Sequence, residues 1–310
     1  MNVISSKTII RIFSIIILFF LLLTCYIYFQ IMDISTILIP EDYESSMTMN
    51  IENKPIVNFG VISRYPPRRI YEGYQPIMDY LSKNSSFSFQ LKLSNSYDET
   101  IQQLLDNEVQ LAFLGTYIYY NAYQSYKLKC ILKPFNEQGL PFLHTTIIAQ
   151  KNSEIESITD LKGKKLALSS RQSLSANIIL VILAKNKIFK RDLSKIQNFN
   201  HHTTVIQKVL KGEFNAGAVK NIIAEKHINN GLKIIFRSEH FPSGPITVSN
   251  QCDTTIINIV KSLLLKINVE ETEYQNLVSN WDSEFKYGFT LAYPDDYSII
   301  RSLLNSDLKN

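Results

Sequence analysis

Apolar and polar positions follow two periods along this chain, and segments of one period alternate with segments of the other. Short apolar or alternating runs predict strands, and apolar positions spaced three and four residues apart predict amphipathic helices. In the first half the predicted strands are PIVNFGVIS, FSFQLKLS and QLAFLG, and the predicted helices are YQPIMDYLSKN and SYDETIQQLLDNEV. The first strand is expected to end near Ser63, and RYPPRRIYEG, with its two adjacent prolines, is expected to be a loop. Strands that alternate with helices indicate βαβ units on a parallel sheet.

The same alternation resumes in the second half of the chain. The predicted strands there include LHTTIIAQ, KKLAL, SKIQNFN and NAGAVK, and the predicted helices are SLSANIILVILAKNKI, HTTVIQKVLKGEF and NIIAEKHINNG. With 310 residues the chain is long enough for two lobes of this kind. The sequence contains no glycine-rich phosphate loop, dinucleotide fingerprint or G-x-S-x-G elbow. We therefore expect an α/β protein of two lobes that is not an enzyme, and no catalytic residue is assigned.

The N-terminal part of the chain differs from the rest. Residues 12–32 form an uncharged apolar run, and about twenty such residues can cross the hydrocarbon core of a bilayer as a helix. Lys7 and Arg11 precede this run and Asp33 follows it, so the positive-inside rule predicts that everything after Asp33 is outside. The expected order is a cytoplasmic N-terminus (1–11), a transmembrane anchor (12–32) and a tether (33–54).

Two other fates of the N-terminal segment stay open. A cleaved signal peptide would have a shorter apolar region that ends in small residues, and no A-x-A-like site is present. LLTC, which ends at Cys25, resembles a bacterial lipoprotein box. The threonine before Cys25 and the apolar YIYF after it argue against cleavage there.

Composition and charge exclude several other classes of protein. A hydrophobic content of 45% with 19% charged residues is ordinary for a globular protein, and the net charge of +4 comes without a Lys/Arg block, so no nucleic-acid partner is expected. Cys130 and Cys252 are far apart in sequence and are expected to be separate thiols, although an oxidising compartment would permit pairing. The pair His201 and His202 has no cysteine or carboxylate neighbour, so neither a metal site nor a cofactor is expected.

A cluster of serines lies where the predicted strand KKLAL gives way to a helix. Ser169, Ser170, Ser173 and Ser175 all fall within this junction. Their hydroxyls can cap the helix, or they can join the exposed backbone N–H groups of the helix N-terminus in binding an anion.

Seven segments of the chain carry a family resemblance, by their order and spacing. They are NFGVIS, YQPIMDYLSK, SYDETIQQLLDNEVQLAFLG, ITDLKGKKLAL, SLSA, HTTVIQKVLKGEFNAGAV and FPSGPITVS. This set resembles the phosphate/phosphite/phosphonate-binding proteins of ABC transporters, a branch of the type II periplasmic binding fold, over roughly residues 55–265. The resemblance implies a two-lobe type II periplasmic-binding-protein-like fold behind the N-terminal transmembrane helix. Lobe 1 would comprise residues 55–145 and 236–310, and lobe 2 would comprise residues 146–235.

The resemblance also implies a ligand site. The family's anion-binding turn usually has the sequence S-T-S-G, and the matching positions here are Ser173, Leu174, Ser175 and Ala176. The full set of implied ligand-binding residues is Tyr97, Gly115, Thr116, Tyr117, Ser173, Ser175 and His202. Ordinary structural alternatives are capping for the serines, a solvated position beside the N-cap for His202, and an aromatic residue at a helix start for Tyr97.

Three further positions bear on the ligand. Arg64 or Arg68 would add positive charge, although a solvated arginine is the simpler interpretation of each. Asn215 stands where the family often has the aspartate of V-D-A. A phosphonate that carries an amino group would lose a counter-charge if that aspartate serves it.

These expectations converge on a membrane-anchored extracytoplasmic solute-binding protein. Its ligand would be a small oxyanion that resembles phosphonate, phosphite or phosphate, and its partner would be an ABC permease. The alternative is a ligand-sensing module that signals to a membrane partner such as a histidine kinase. An uncleaved N-terminal helix favours this alternative, because transport receptors are normally soluble or lipidated. The tail YGFTLAYPDDYSIIRSLL also resembles the end of related members, which include extracytoplasmic sensor domains. The expected location is the bacterial inner (cytoplasmic) membrane, with a single span and the binding domain in the periplasm or outside the cell.

Overall fold

The structure, a computed structural model, describes residues 13, 16–24, 54–63 and 65–305. The chain divides into two units, Met1–Asn53 and Lys54–Asn310. In the first unit the described residues are helical and exposed. Among all the described residues, no helix combines the length and the apolar character that a membrane span requires. Most of the predicted anchor (12–32), and the predicted tether up to residue 53, lie outside the described residues.

The second unit contains the α/β fold. In chain order its elements are β1 (Ile56–Val61), α1 (Pro67–Lys83), β2 (Ser88–Leu93), α2 (Tyr97–Leu105), β3 (Leu111–Phe113), α3 (Thr116–Tyr126), β4 (Lys129–Pro134), β5 (Phe142–Leu143), β6 (Thr145–Gln150), β7 (Lys165–Leu168), α4 (Leu174–Lys185), β8 (Lys195–Asn198), α5 (His202–Leu210), β9 (Ala216–Lys220), α6 (Asn221–Ala224), β10 (Leu232–Arg237), β11 (Phe241–Pro242), β12 (Ile246–Val248), α7 (Thr254–Leu264), α8 (Thr272–Leu277), β13 (Phe289–Leu291) and α9 (Ile299–Asn305). Short 3₁₀ turns connect some of them, at Ile158–Leu161, Lys190–Asp192, Glu225–Asn230, Val278–Asn280 and Pro294–Tyr297.

The first lobe is built on a six-stranded sheet in the order β13-β4-β12-β3-β1-β2. Strand β1 pairs in parallel with β2 and β3, whereas β12 pairs antiparallel with β3 and β4. Helix α1 covers this sheet through Tyr74, whose ring meets Phe285 edge-on at 5.2 Å between centroids. Tyr74 and Phe285 belong to the apolar core of this lobe, where large aromatic side chains bury much apolar surface.

The second lobe is built on a five-stranded sheet in the order β10-β6-β9-β7-β8. Strand β7 pairs in parallel with β8 and β9, whereas β6 pairs antiparallel with β9 and β10. Helix α5 lies close to β9 at Gly217, where an added Cβ would lie 2.6 Å from Cγ1 of Val205. The glycine therefore sets how closely the helix approaches the sheet.

The chain passes from the first sheet to the second before β6 and returns after β10. Strands β5 and β11, which belong to these two passages, pair with each other through Leu143 and Phe241. One hydrophobic cluster extends through both lobes and includes Leu104 and Leu166, and α9 packs against α4. The predicted two-lobe α/β architecture, with two crossings, is confirmed.

Two details differ from the sequence analysis or complete it. The prediction of a loop at RYPPRRIYEG is wrong, because α1 begins at Pro67. Proline is well suited to the first turn of a helix, where its missing N–H would have no helical partner. Cys130 and Cys252 are both free thiols, and burial raises the pKa of each to about 11.

Candidate functional site

A cavity of about 400 Å³ is lined by residues of both lobes. Its walls come from segments that precede or begin α1, α2, α4 and α5. The lining residues are Ser63, Tyr65, Pro66, Pro67, Ile70, Leu93, Ser94, Asn95, Ser96, Tyr97, Ser170, Gln172, Asn200 and His201. Because a helix N-terminus carries partial positive charge and unpaired N–H groups, four of them around one cavity favour an anion. No carboxylate occurs among these lining residues, which agrees with that preference.

The contacts at the start of α4 show whether Ser173 caps this helix. Ser173 is the N-cap residue of α4, yet its side chain makes no capping hydrogen bond. Instead, its Oγ lies 3.5 Å from Nε2 of His202. At the start of α2, by contrast, Oγ of Ser96 accepts a hydrogen bond of 3.1 Å from the backbone N–H of Glu99. The capping interpretation therefore does not hold for Ser173, whose hydroxyl is directed toward the histidine.

The other serines of the junction have different environments. Oγ of Ser175 is buried and accepts a hydrogen bond from Oγ1 of Thr145 at 3.1 Å, so it does not cap α4 either. Oγ of Ser170 accepts from the backbone N–H of Gln172 at 3.3 Å, and Ser170 lines the cavity. Oγ of Ser169 is buried and has no hydrogen-bond partner among the described residues.

His202 and Tyr97 lie at the first positions of their helices. His202 begins α5 and is only 5% exposed, and its contact with Ser173 joins two residues that the sequence analysis predicts for the site. Tyr97 begins α2 and lines the cavity from the first lobe. Three of the predicted residues are thus found at helix starts that lie around the cavity or next to it.

The predicted turn after β3 has a mainly structural environment. Gly115 is the N-cap residue of α3, and Oγ1 of the buried Thr116 donates a 2.8 Å hydrogen bond to the carbonyl of Pro242. Tyr117 packs against the hydrophobic cluster that the lobes share. None of these three residues is among those that line the cavity.

The structure gives different results for Arg64, Arg68 and Asn215, the three positions that the sequence analysis relates to the charge of the ligand. Arg64 lies outside the described residues. Arg68 is exposed and pairs with Glu72 one turn further along α1, at 2.7 Å. Asn215 precedes β9 and accepts a 2.9 Å hydrogen bond from the backbone N–H of Lys165 at the start of β7. This is the amino edge of both strands, whereas Ser170 and Gln172, which line the cavity, follow the carboxyl end of β7.

Two polar contacts connect the lobes at the carboxyl edge of the second sheet. Nε2 of Gln172 donates to Oδ1 of Asp98 at 2.9 Å. Nζ of Lys220, at the end of β9, lies 3.0 Å from Oε1 of Glu284, which belongs to the first lobe. The sequence analysis does not assign Gln172, Asn200, His201 or Lys220 to the site. His201 directly follows the predicted strand SKIQNFN, which is a signal for a site position; Asn200 and Lys220 end predicted strands, and Gln172 lies four residues beyond KKLAL.

Comparisons with known proteins agree with this arrangement. A family model described as "ABC transporter, phosphonate, periplasmic substrate-binding protein" matches residues 59–297. The phosphonates-binding periplasmic protein of Escherichia coli (strain K12) is 24% identical over 226 residues, which cover 69% of this chain and 64% of that protein. The match thus spans less than two thirds of the relative's length.

Solved structures share the fold. A binding protein component of an ABC phosphonate transporter from Pseudomonas aeruginosa has a TM-score of 0.69 at 19% identity, with 81% of this chain and 85% of that chain covered. PhnD1 from Prochlorococcus marinus (MIT 9301), in complex with methylphosphonate, has a TM-score of 0.70 at 15% identity, with 81% and 97% covered. At these identities the likeness establishes the fold alone. The family model covers most of the chain, and the chain therefore belongs to the family of phosphonate-binding periplasmic substrate-binding proteins of ABC transporters, which are binding proteins rather than enzymes.

Proposed function

We propose that this protein binds a small oxyanion between its lobes and delivers it to the permease of an ABC transporter. The observation that carries the proposal is the cavity of about 400 Å³, which is bounded by four helix starts and by no described carboxylate. A small anion gains from such a site through backbone N–H groups that need no rearrangement. The ligand class is phosphonate-like, phosphite-like or phosphate-like. The relative from Escherichia coli is named for binding phosphonates, and the structure from Prochlorococcus marinus holds methylphosphonate.

The proposed ligand-binding residues come from both lobes. Ser173, Ser175 and His202 belong to the second lobe, and Tyr97 and the turn Gly115–Tyr117 belong to the first. The 3.5 Å contact between Ser173 and His202 supports a shared anion site for these two side chains. The predicted divisions at 145/146 and 235/236 fall within β6 and β10 of the second sheet. We place the divisions in the two passages that contain the paired strands β5 and β11, and propose that closure takes place about these passages.

The attachment to the membrane is a separate proposal. Residues 12–32 are uncharged and follow Lys7 and Arg11, which supports an uncleaved anchor with its N-terminus in the cytoplasm. Mass spectrometry of the membrane-extracted protein is expected to recover the original N-terminal peptide. Recovery of only a lipid-modified form that begins at Cys25 would refute the anchor.

A ligand panel tests the function. Ligand at a hundredfold excess over its dissociation constant stabilises the folded state by about 2.7 kcal/mol, which raises the melting temperature of a domain of this size by about 5–10 °C. We expect this shift with at least one of phosphate, phosphite and methylphosphonate. Sulfate and an uncharged sugar serve as controls. A response to a control alone would refute the proposed ligand class.

A further inference from the structure

Lys220 lies at the edge of the second sheet that borders the cavity. Strands β7 and β9 are parallel neighbours, with Leu168 opposite Ala218. Lys220 is the last residue of β9, and Ser170, which lines the cavity, follows the end of β7 by two residues, so both residues lie at the carboxyl edge of this sheet. Lys220 is thus at the edge of the second sheet that borders the proposed ligand site.

The partner of Lys220 is held firmly by the first lobe. Nζ of Lys220 lies 3.0 Å and 3.3 Å from the two carboxylate oxygens of Glu284, whose side chain is 2% exposed. The segment that carries Glu284 is fixed to α1, because the N–H of Asp282 donates to the carbonyl of Gly73 at 2.8 Å. Oδ1 of Asp282 then accepts from the N–H of Glu284 at 2.9 Å. These two hydrogen bonds hold the backbone that carries Glu284 within the first lobe.

A second cavity, of about 210 Å³, adjoins this ion pair and has carboxylates in its walls. Its lining includes Glu137, Glu225 and Glu284. Glu284 is paired with Lys220, and Glu225 is paired with Arg237 at 2.8 Å. Glu137 is exposed, and Lys226 lines the same cavity. The two carboxylates of this cavity that are not exposed are thus already matched by cations of the chain itself.

We infer that Lys220, by neutralising Glu284, restricts the proposed site to oxyanions whose substituent carries no positive charge. The inference rests on the proposed function and names the ligand class of the same site. An ammonium group that enters the cleft loses its water, and it recovers that cost only from a carboxylate available to it. Glu284 is the most deeply buried carboxylate at this edge, and Lys220 occupies it.

Two ligands of equal chain length test the inference. Propylphosphonate and 2-aminoethylphosphonate differ in whether the chain ends in a methyl or an ammonium group. By titration calorimetry on the full chain we expect propylphosphonate to bind at least about tenfold more tightly, a difference of about 1.4 kcal/mol. Equal affinity, tighter binding of the amino compound, or exclusion of both chains while methylphosphonate binds would overturn the inference and leave the function intact. If no oxyanion binds, both are wrong.

Variants of the ion pair locate the source of the preference. Lys220→Met leaves the carboxylate of Glu284 without its ammonium partner, so the preference for propylphosphonate should narrow by about tenfold or more. Glu284→Gln leaves the ammonium of Lys220 without its carboxylate partner and should increase the preference for propylphosphonate over 2-aminoethylphosphonate. The double variant Lys220→Met/Glu284→Gln removes both charges, so it should fold even where a single variant does not. It should keep the original ratio of the two affinities. A ratio that is unchanged in Glu284→Gln, or that narrows in the double variant, would overturn the role of Lys220.

Discussion

Two serines with the same helix position behave differently in this protein. Ser96 and Ser173 are both N-cap residues with extended backbone conformations. Ser96 accepts from the N–H of Glu99, whereas the side chain of Ser173 is close to His202 and leaves the start of α4 without a side-chain cap. A serine that does not cap its helix has a hydroxyl that is available to a ligand. Substitutions at Ser96 and Ser173 can therefore separate the stability of a helix from the affinity of the site.

Alanine at Ser96 and alanine at Ser173 should therefore affect different quantities, the stability of the fold and the affinity for the ligand. Ser96→Ala removes a capping bond and should lower the free energy of unfolding by about 1 kcal/mol. Ser173→Ala removes no capping bond and should change it by less than about 0.5 kcal/mol, while weakening oxyanion binding by about 10- to 100-fold, as expected for a charge-assisted bond. Chemical denaturation without ligand and calorimetry with ligand measure the two quantities. A destabilised Ser173→Ala with unchanged affinity would restore the capping interpretation.

At the scale of elements, periodicity predicts much of the fold because the strands are short and buried. The runs PIVNFGVIS and QLAFLG contain β1 and β3, and SLSANIILVILAKNKI contains α4. Local signals do not reveal contacts between distant segments. The sequence does not show, for example, that the hydroxyl of Thr116 donates to the carbonyl of Pro242, 126 residues away. Asn215 matches a family position, yet it precedes β9 and therefore lies at the amino edge of that strand. The cavity borders the other edge, which only the parallel pairing of β7 with β9 shows.

The position of α5 depends on a glycine in the neighbouring strand. In Gly217→Ala the new Cβ would lie 2.6 Å from Cγ1 of Val205 and 2.9 Å from Cγ2 of Val209. We expect a loss of about 1–3 kcal/mol in the free energy of unfolding, and weaker oxyanion binding because α5 carries His202 at its first position. Val205→Ala makes room for the new methyl group, so the double variant should be more stable than the sum of the single losses by at least about 0.5 kcal/mol. Strictly additive losses in urea denaturation would show that the contact does not set the helix position.

At the scale of the whole second unit, the lobes are joined by residues that are far apart in sequence. Gln172 and Asp98 are 74 residues apart, and Lys220 and Glu284 are 64 apart. A lysine at a strand end has no sequence signature that distinguishes it from a solvated one, so the sequence analysis has no basis for predicting this pair. Both contacts require the lobes to be close together, and each therefore favours the closed arrangement over an open one.

The contact between Gln172 and Asp98 should contribute to affinity by stabilising closure. Because apparent affinity falls with the fraction of closed protein, Gln172→Ala and Asp98→Ala should each weaken oxyanion binding by about 2- to 10-fold. The double variant should bind no more weakly than the weaker single variant, since both changes remove the same bond. Gln102→Ala is the matched control, because its carboxamide also donates to an aspartate, Asp106, but within α2; it should leave affinity unchanged. If Asp98→Ala binds like the unmodified protein while Gln172→Ala is weakened, Gln172 acts on the ligand directly and the bond between the lobes does not contribute to closure.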